Sequence, residues 1–343
     1  MEKEVTVAKK NLLKKPEEFK TGYAEPHSLC RSLVHLFPYQ SESTGIEYSY
    51  TEVMGYTGHA FHINLEKSAV RHIGPMMYDW GGIMYPGLRN LGVVFEVEEL
   101  SGFRADVPDL QVRAVRLAKE AVDGGIPAIS WEVLRNQEFG LIHGYDDESG
   151  LFQVVNAHGE GERPYTRLGL GPLTDILFVM RVSRIDPIDR KAALRGALES
   201  AVRYGFTDSG VCDEFVTGLD AYEVWMNAVR REAVDHYGNA YMILTLQDAR
   251  KQAAQFLRQI AATGDDDGFV TDRLRVLLGN ASAHYAEVED ILSRLALLCP
   301  FPEGGAPTSD ADRGTFIDLL HQARKAEELA LNVLAEALQE LRG

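Results

Sequence analysis

Cys30, in the run Glu25-Pro26-His27-Ser28-Leu29-Cys30-Arg31, has the residue type and the local setting of a nucleophile. His27 or Ser28 can cap a helix that runs to about Phe37, which puts Cys30 in its first turn. The helix dipole there favours a thiolate and lowers the thiol pKa. A cysteine that attacks carbonyl carbon must ionise near neutral pH. The competing reading is a small buried hydrophobe, which is what most lone cysteines are. Cys212 and Cys299 fall among helical residues and read as packing residues.

The stretch from Glu138 to Asn156, EFGLIHGYDDESGLFQVVN, supplies groups that could act on such a thiol. It reads as a β-hairpin: an apolar strand, a tight acidic turn over Asp146–Gly150, and a second strand. Its chemical candidates are Glu138, His143 and Asn156. By strand alternation His143 shares a face with Phe139, about 13 Å further along at ~3.3 Å per residue. A carboxylate at Glu138 raises the pKa of a nearby thiol rather than lowering it. His158, just past the hairpin, can swing in from a Gly-rich loop. The base for Cys30 is therefore sought among His59, His143 and His158.

This order of features resembles the papain-like cysteine peptidase superfamily: a Cys at a helix start, a helical middle, a strand ending in Gly144-Tyr145-Asp146-Asp147-Glu148, and a strand ending in Asn156. With Gly55-Tyr56-Thr57-Gly58-His59-Ala60-Phe61 and a long helical C-terminal part, the chain resembles the family of the butirosin biosynthesis protein H N-terminal domain. The likeness spans residues 20 to 185 or so. It implies a cysteine hydrolase or acyltransferase fold, used in secondary metabolism to move an acyl group from a carrier-protein thioester to an amine. It also implies that Asn156 orients a catalytic histidine. In related papain-like proteins that histidine starts the strand, five residues before the Gly of Gly-Tyr-Asp. Glu138-Phe139 occupy that place here, and Ala24-Glu25 stand where an oxyanion glutamine is usual.

The elements that must position these groups are legible as patterns. Strands are expected at Gly58–Asn64, Val70–Ile73, Val93–Val97, Ala128–Glu132, Phe139–Tyr145, Leu151–Asn156 and Ile176–Ser183. Helices are expected from Ser28 to Phe37 and from Pro108 to Val122, the second stopped by Gly124-Gly125. Beyond Pro187, apolar residues recur at three- and four-residue spacing in five runs, which predicts an antiparallel bundle of four or five helices. The expectation is an α+β chain: a papain-like domain over residues 1–187, with an antiparallel sheet and a Cys-bearing helix, then an all-α bundle over 188–343.

His59, Phe61, Tyr78 and Trp80 are candidates for lining a substrate cleft, with Met76–Gly82 read as a loop rich in exposed apolar surface. On a strand His59 and His62 would face opposite ways, which argues against a zinc pair. Tyr222, Trp225, Met226 and Val229 follow helical spacing and read as bundle core. Asp265-Asp266-Asp267-Gly268 lacks the further ligands of a calcium loop and reads as a turn. No metal and no cofactor is called for.

The chain has 343 residues, with 51 Asp and Glu against 35 Lys and Arg, a formal net charge of -16. Such a surface repels phosphate backbones and anionic bilayers, so neither a nucleic acid nor a membrane is an expected partner. The N-terminus lacks an apolar signal core, and three scattered cysteines suit a reducing compartment, so a cytoplasmic protein is expected. The expected partner is a small-molecule or acyl-carrier substrate, with a possible homodimer through the helical domain. The functional readings are a cysteine-dependent hydrolase or acyltransferase acting on a small amide, ester or thioester, an inactive papain-like fold that binds a small molecule or peptide, and an interaction protein carried by the helical half.

Overall fold

The computed structural model describes residues 9–16, 19, 23–40, 45–101, 107–134, 137–170, 174, 176–207, 213–263, 268–305 and 309–342. Cys212 and Asp265-Asp266-Asp267 lie outside the described residues. In chain order the elements are β1 (Lys10–Leu12), α1 (Ser28–Leu36), α2 (Tyr50–Tyr56), β2 (Asn64–Glu66), α3 (Met84–Asn90), β3 (Val93–Ser101) and α4 (Val107–Asp123). There follow β4 (Ala128–Trp131), β5 (Phe139–Asp146), β6 (Leu151–Asn156), β7 (Gly159–Pro164), β8 (Ile176–Ile185), α5 (Arg190–Phe206) and β9 (Phe215–Thr217). The chain ends in α6 (Leu219–Arg230), α7 (His236–Ala262), α8 (Asp272–Leu298) and α9 (Asp310–Arg342).

The chain divides into two compact units. One comprises residues 1–50 and 92–187, the other residues 51–91 and 188–343. The compositional change at Pro187 is therefore one seam of three, because residues 51–91 pack with the helices.

The first unit is built on an antiparallel sheet in the order β3-β8-β4-β5-β6-β7. β4 pairs with Phe139–Ile142 of β5, and β1 pairs with Gly144–Asp146. β5 is central and buried along almost its whole length, so it carries apolar residues on both faces rather than alternating. Ile142, Tyr145, Phe152, Val154 and Val179 share a core with Ala114, Ala118, Ala121 and Val122 of α4. On the other side of the pleat the Phe139 ring meets Trp131 edge-on at 4.9 Å and Phe178 at 5.2 Å. α4 stops as its glycines predict: Gly125 is left-handed at φ 84°. Ile126 N–H bonds Ala121 and Gly125 N–H bonds Val122, which satisfies the last carbonyls of the helix.

In the second unit α5 to α9 form a five-helix bundle among the described residues. Tyr222, Trp225, Met226 and Val229 lie in its core, as their spacing predicts. α9 packs on α8, α5 and α6. Its buried stripe from Phe316 to Leu341 is thus covered within its own unit. Two expected strands are absent. Val70–Ile73 forms turns, and Gly58–Asn64 yields a 3-10 turn at His59–Phe61 followed by β2. β2 pairs antiparallel with β9, which lies in the part of the chain expected to be all-α. Such short apolar segments carry no decisive period, and tertiary pairing determines their form. No helix among the described residues is long and apolar enough to cross a membrane.

Arg250 and Glu327 form a salt bridge in this core, with both side chains almost wholly removed from water. Tyr222 donates to Glu327 Oε2 at 2.6 Å, and Arg250 Nη1 donates to the carbonyls of Ala60 and His62 at 2.9 Å each. A buried pair survives only when its remaining polar atoms are also bonded. Here those bonds also fix the turn that carries His59.

Candidate functional site

Cys30 is the third residue of α1 and is fully buried. His27 is the N-cap, but no side chain caps the helix. Ser28 Oγ instead accepts the backbone N–H of Phe139 at 3.1 Å. That bond fastens the start of the Cys-bearing helix to the start of β5. Arg31, next in sequence, points inward: Nη1 donates to the Glu25 carbonyl at 2.8 Å and Nη2 to Glu138 Oε2 at 2.5 Å.

Glu138 uses its second oxygen as well. His158 Nε2 lies 3.0 Å from Oε1. Where the carboxylate oxygen accepts, the imidazole donates from Nε2, and in the neutral ring that tautomer has Nδ1 as its acceptor nitrogen. His158 is held in turn by its backbone. Asn156 pairs with Gly159, so Ala157 and His158 form a two-residue hairpin turn, with Gly159 at φ 131°. Glycine takes such a φ without the strain it would cost a residue with a Cβ. Asn156 Oδ1 accepts the His158 N–H at 2.9 Å. The Tyr23 ring meets His158 edge-on at 5.8 Å. Burial, reinforced by the negative charge of Glu138, raises the Tyr23 phenol above its ordinary value.

Asn156 therefore contacts a histidine, through the backbone N–H of His158 rather than through its ring. His143 stands apart. The register of β5 on β6 shifts between Ile142 and Gly144, so His143 occupies a β-bulge and strict alternation from Phe139 fails there. Its carbonyl accepts the Leu13 N–H at 2.9 Å, and its buried Nδ1 has no hydrogen-bond partner among the described residues. Burial lowers the His143 pKa.

The four cleft candidates belong to the other compact unit. Tyr78 is buried and stacks on Trp80 with centroids 5.3 Å apart. Its hydroxyl lies 3.3 Å from His59 Nδ1. The expected exposed loop is thus a self-packed aromatic turn. Phe61 is core, against Tyr285 at 5.5 Å and Phe256 at 6.4 Å. His59 and His62 lie at a 3-10 turn, not on a strand, and His62 Nε2 bonds Ser200 Oγ at 3.1 Å. Among the described residues no group of three or more His, Cys, Asp or Glu side chains is placed to hold a metal ion.

Sequence reasoning missed Arg31 and Tyr23 altogether. Nothing in their spacing points to a residue more than a hundred positions away. His158 had a signal: an Asn two residues before it and a Gly directly after it mark a tight turn that fixes its direction. Chemically, the assembly is a carboxylate paired with a buried guanidinium through one oxygen and bonded to the Nε2 of an imidazole through the other. No family model matches this chain, and no curated protein does.

Proposed function

We propose that the protein is a papain-like cysteine hydrolase or acyltransferase acting on a small amide, ester or thioester, with Cys30 as nucleophile and His158 as base. The supporting observation is the Arg31–Glu138–His158 chain, whose carboxylate residue directly precedes the one that bonds the first turn of the Cys30 helix. Arg31 answers the objection to Glu138. With the carboxylate neutralised by the guanidinium, its effect on a nearby thiol is largely cancelled, while it still fixes the tautomer of His158.

In this mechanism His158 Nδ1 takes the Cys30 thiol proton and the thiolate attacks the substrate carbonyl carbon. The tetrahedral adduct collapses, the bond to the leaving amine, alcohol or thiol breaks, and the leaving group takes the proton from Nδ1. Water or an amine then attacks the acyl-cysteine, releases the acyl group, and returns a proton to the thiolate. The helix dipole at the first turn of α1 stabilises charge that develops there.

The test is the pH dependence of Cys30 alkylation by iodoacetamide, with mass spectrometry after exposure to a simple acyl thioester. Half-reaction well below about pH 8.5 is expected, with an acyl adduct absent in Cys30→Ser. Ionisation only above that value, with no adduct, would overturn the reading. A second reading, the same fold as a binding module without turnover, is favoured by the complete burial of Cys30. It predicts a thiol inert to both reagents.

A further inference from the structure

Glu132 is a buried carboxylate, only 2% exposed. Its backbone is left-handed at φ 51°. Glycine or asparagine takes that conformation readily, and a glutamate does so at a penalty. A glutamate in that conformation is held there by the contacts of its side chain. Thr174 Oγ1 donates to Glu132 Oε2 at 2.7 Å, and Trp131 Nε1 donates to Thr174 Oγ1 at 2.8 Å. The carboxylate is thereby anchored to the end of β4.

The turn at Glu132 directs its N–H onto the Glu138 carbonyl at 2.8 Å. This bond closes the connection between β4 and β5 at its base. One residue further on, Phe139 pairs with Trp131 and bonds Ser28. The backbone of Glu138 is thus held from both sides, and its two carboxylate oxygens reach Arg31 and His158.

We propose that Glu132 is a positioning residue: its anchored carboxylate holds a strained turn that places Glu138, and through Glu138 fixes the ring of His158. This deepens the reading of Cys30 and His158 as a catalytic pair and rests on it for its functional meaning.

The test uses the full chain with nitrogen-labelled histidine. The readouts are the His158 Nε2–H resonance, assigned by its loss in His158→Gln, and its exchange with solvent. Glu132→Ala keeps the strain and removes the anchor, so exchange is expected to rise about tenfold, the loss of one charge-assisted hydrogen bond. Glu132→Gln keeps the acceptor for Thr174, and Glu132→Gly relieves the strain, so both should retain the wild-type resonance. Equal loss in all three variants would mean that charge matters rather than position and would overturn the proposal. An unchanged resonance in Glu132→Ala would overturn it too. Should Glu132→Ala fail to fold, Glu132→Gln and Thr174→Val decide: the resonance is expected to persist in the first and to be weakened by faster exchange in the second, and loss in Glu132→Gln or an unchanged resonance in Thr174→Val refutes the anchor. The resonance reports positioning whether or not Cys30 reacts. Alkylation of wild-type Cys30 tests the catalytic reading separately.

Discussion

Arg31 reaches Glu138 across 107 residues of chain, and their side chains are 0% and 9% exposed. Removing one partner of a buried pair leaves an uncompensated charge, which costs about 3–5 kcal/mol. Arg31→Met should therefore lower the unfolding free energy by about 3 kcal/mol, read from urea titration. The double variant Arg31→Met with Glu138→Leu should recover most of that loss. A single variant within about 0.5 kcal/mol of wild type would show that the pair is not buried in solution.

Asn156 gives a smaller and more local effect. Asn156→Ala removes the acceptor for the His158 N–H and frees the two-residue turn. The expected loss is about 1 kcal/mol, with the His158 imidazole signals broadened while those of His143 stay sharp. Sharp, unshifted His158 signals would show that the turn holds without Asn156.

His62 makes the bundle sensitive to acid. Burial, helped by the Arg250 guanidinium, pushes its pKa down to about 3. In the unfolded chain a histidine takes a proton near pH 6.5 or so. Between those values the unfolded state binds more protons, so stability falls as pH drops through that window. From pH 7 to pH 4.5 the wild-type Tm should fall about 4 °C more than that of His62→Asn, which stays neutral. Parallel melting curves for the two proteins would count against a His62 that stays neutral in the folded state.

Gly55 tests the approach of α2 to α7. A Cβ on Gly55 would overlap the Phe256 ring. Overpacking of this kind costs about 1–3 kcal/mol. Gly55→Ala should lower the urea midpoint, and adding Phe256→Leu should restore part of it. A midpoint equal to wild type in Gly55→Ala would mean that the ring moves aside freely.

The legible parts of this fold were those whose pattern is set locally. The β5–β6 hairpin has apolar strands and an acidic turn, and α4 has its Pro108 start and Gly125 stop. The bundle helices repeat their apolar stripe over several turns. β7, Gly-Glu-Gly-Glu-Arg-Pro, carries no β-branched or aromatic residue, and only its pairing with β6 makes it a strand. The 3-10 turn at His59–Phe61 is held by Arg250, nearly two hundred residues away, so no local window contains its cause. The candidate site divides in the same way. Cys30 and Asn156 were visible from their places on a helix and a strand. Arg31 and Glu132 act through distant partners, and the left-handed backbone of Glu132 has no sequence signature.

The pairing of β2 with β9 constrains how the chain can be made. A ribosome delivers Asn64 well before its partner Thr217. At synthesis rates of about 5–20 residues per second that interval lasts roughly 8–30 seconds. For most of it, residues 51–91 have been made without the helices that cover them. The nascent chain thus carries an unpaired strand and an apolar segment for longer than most small domains need to fold. A holding chaperone has a defined stretch to shield, and a cut after Pro187 would leave that stretch permanently bare.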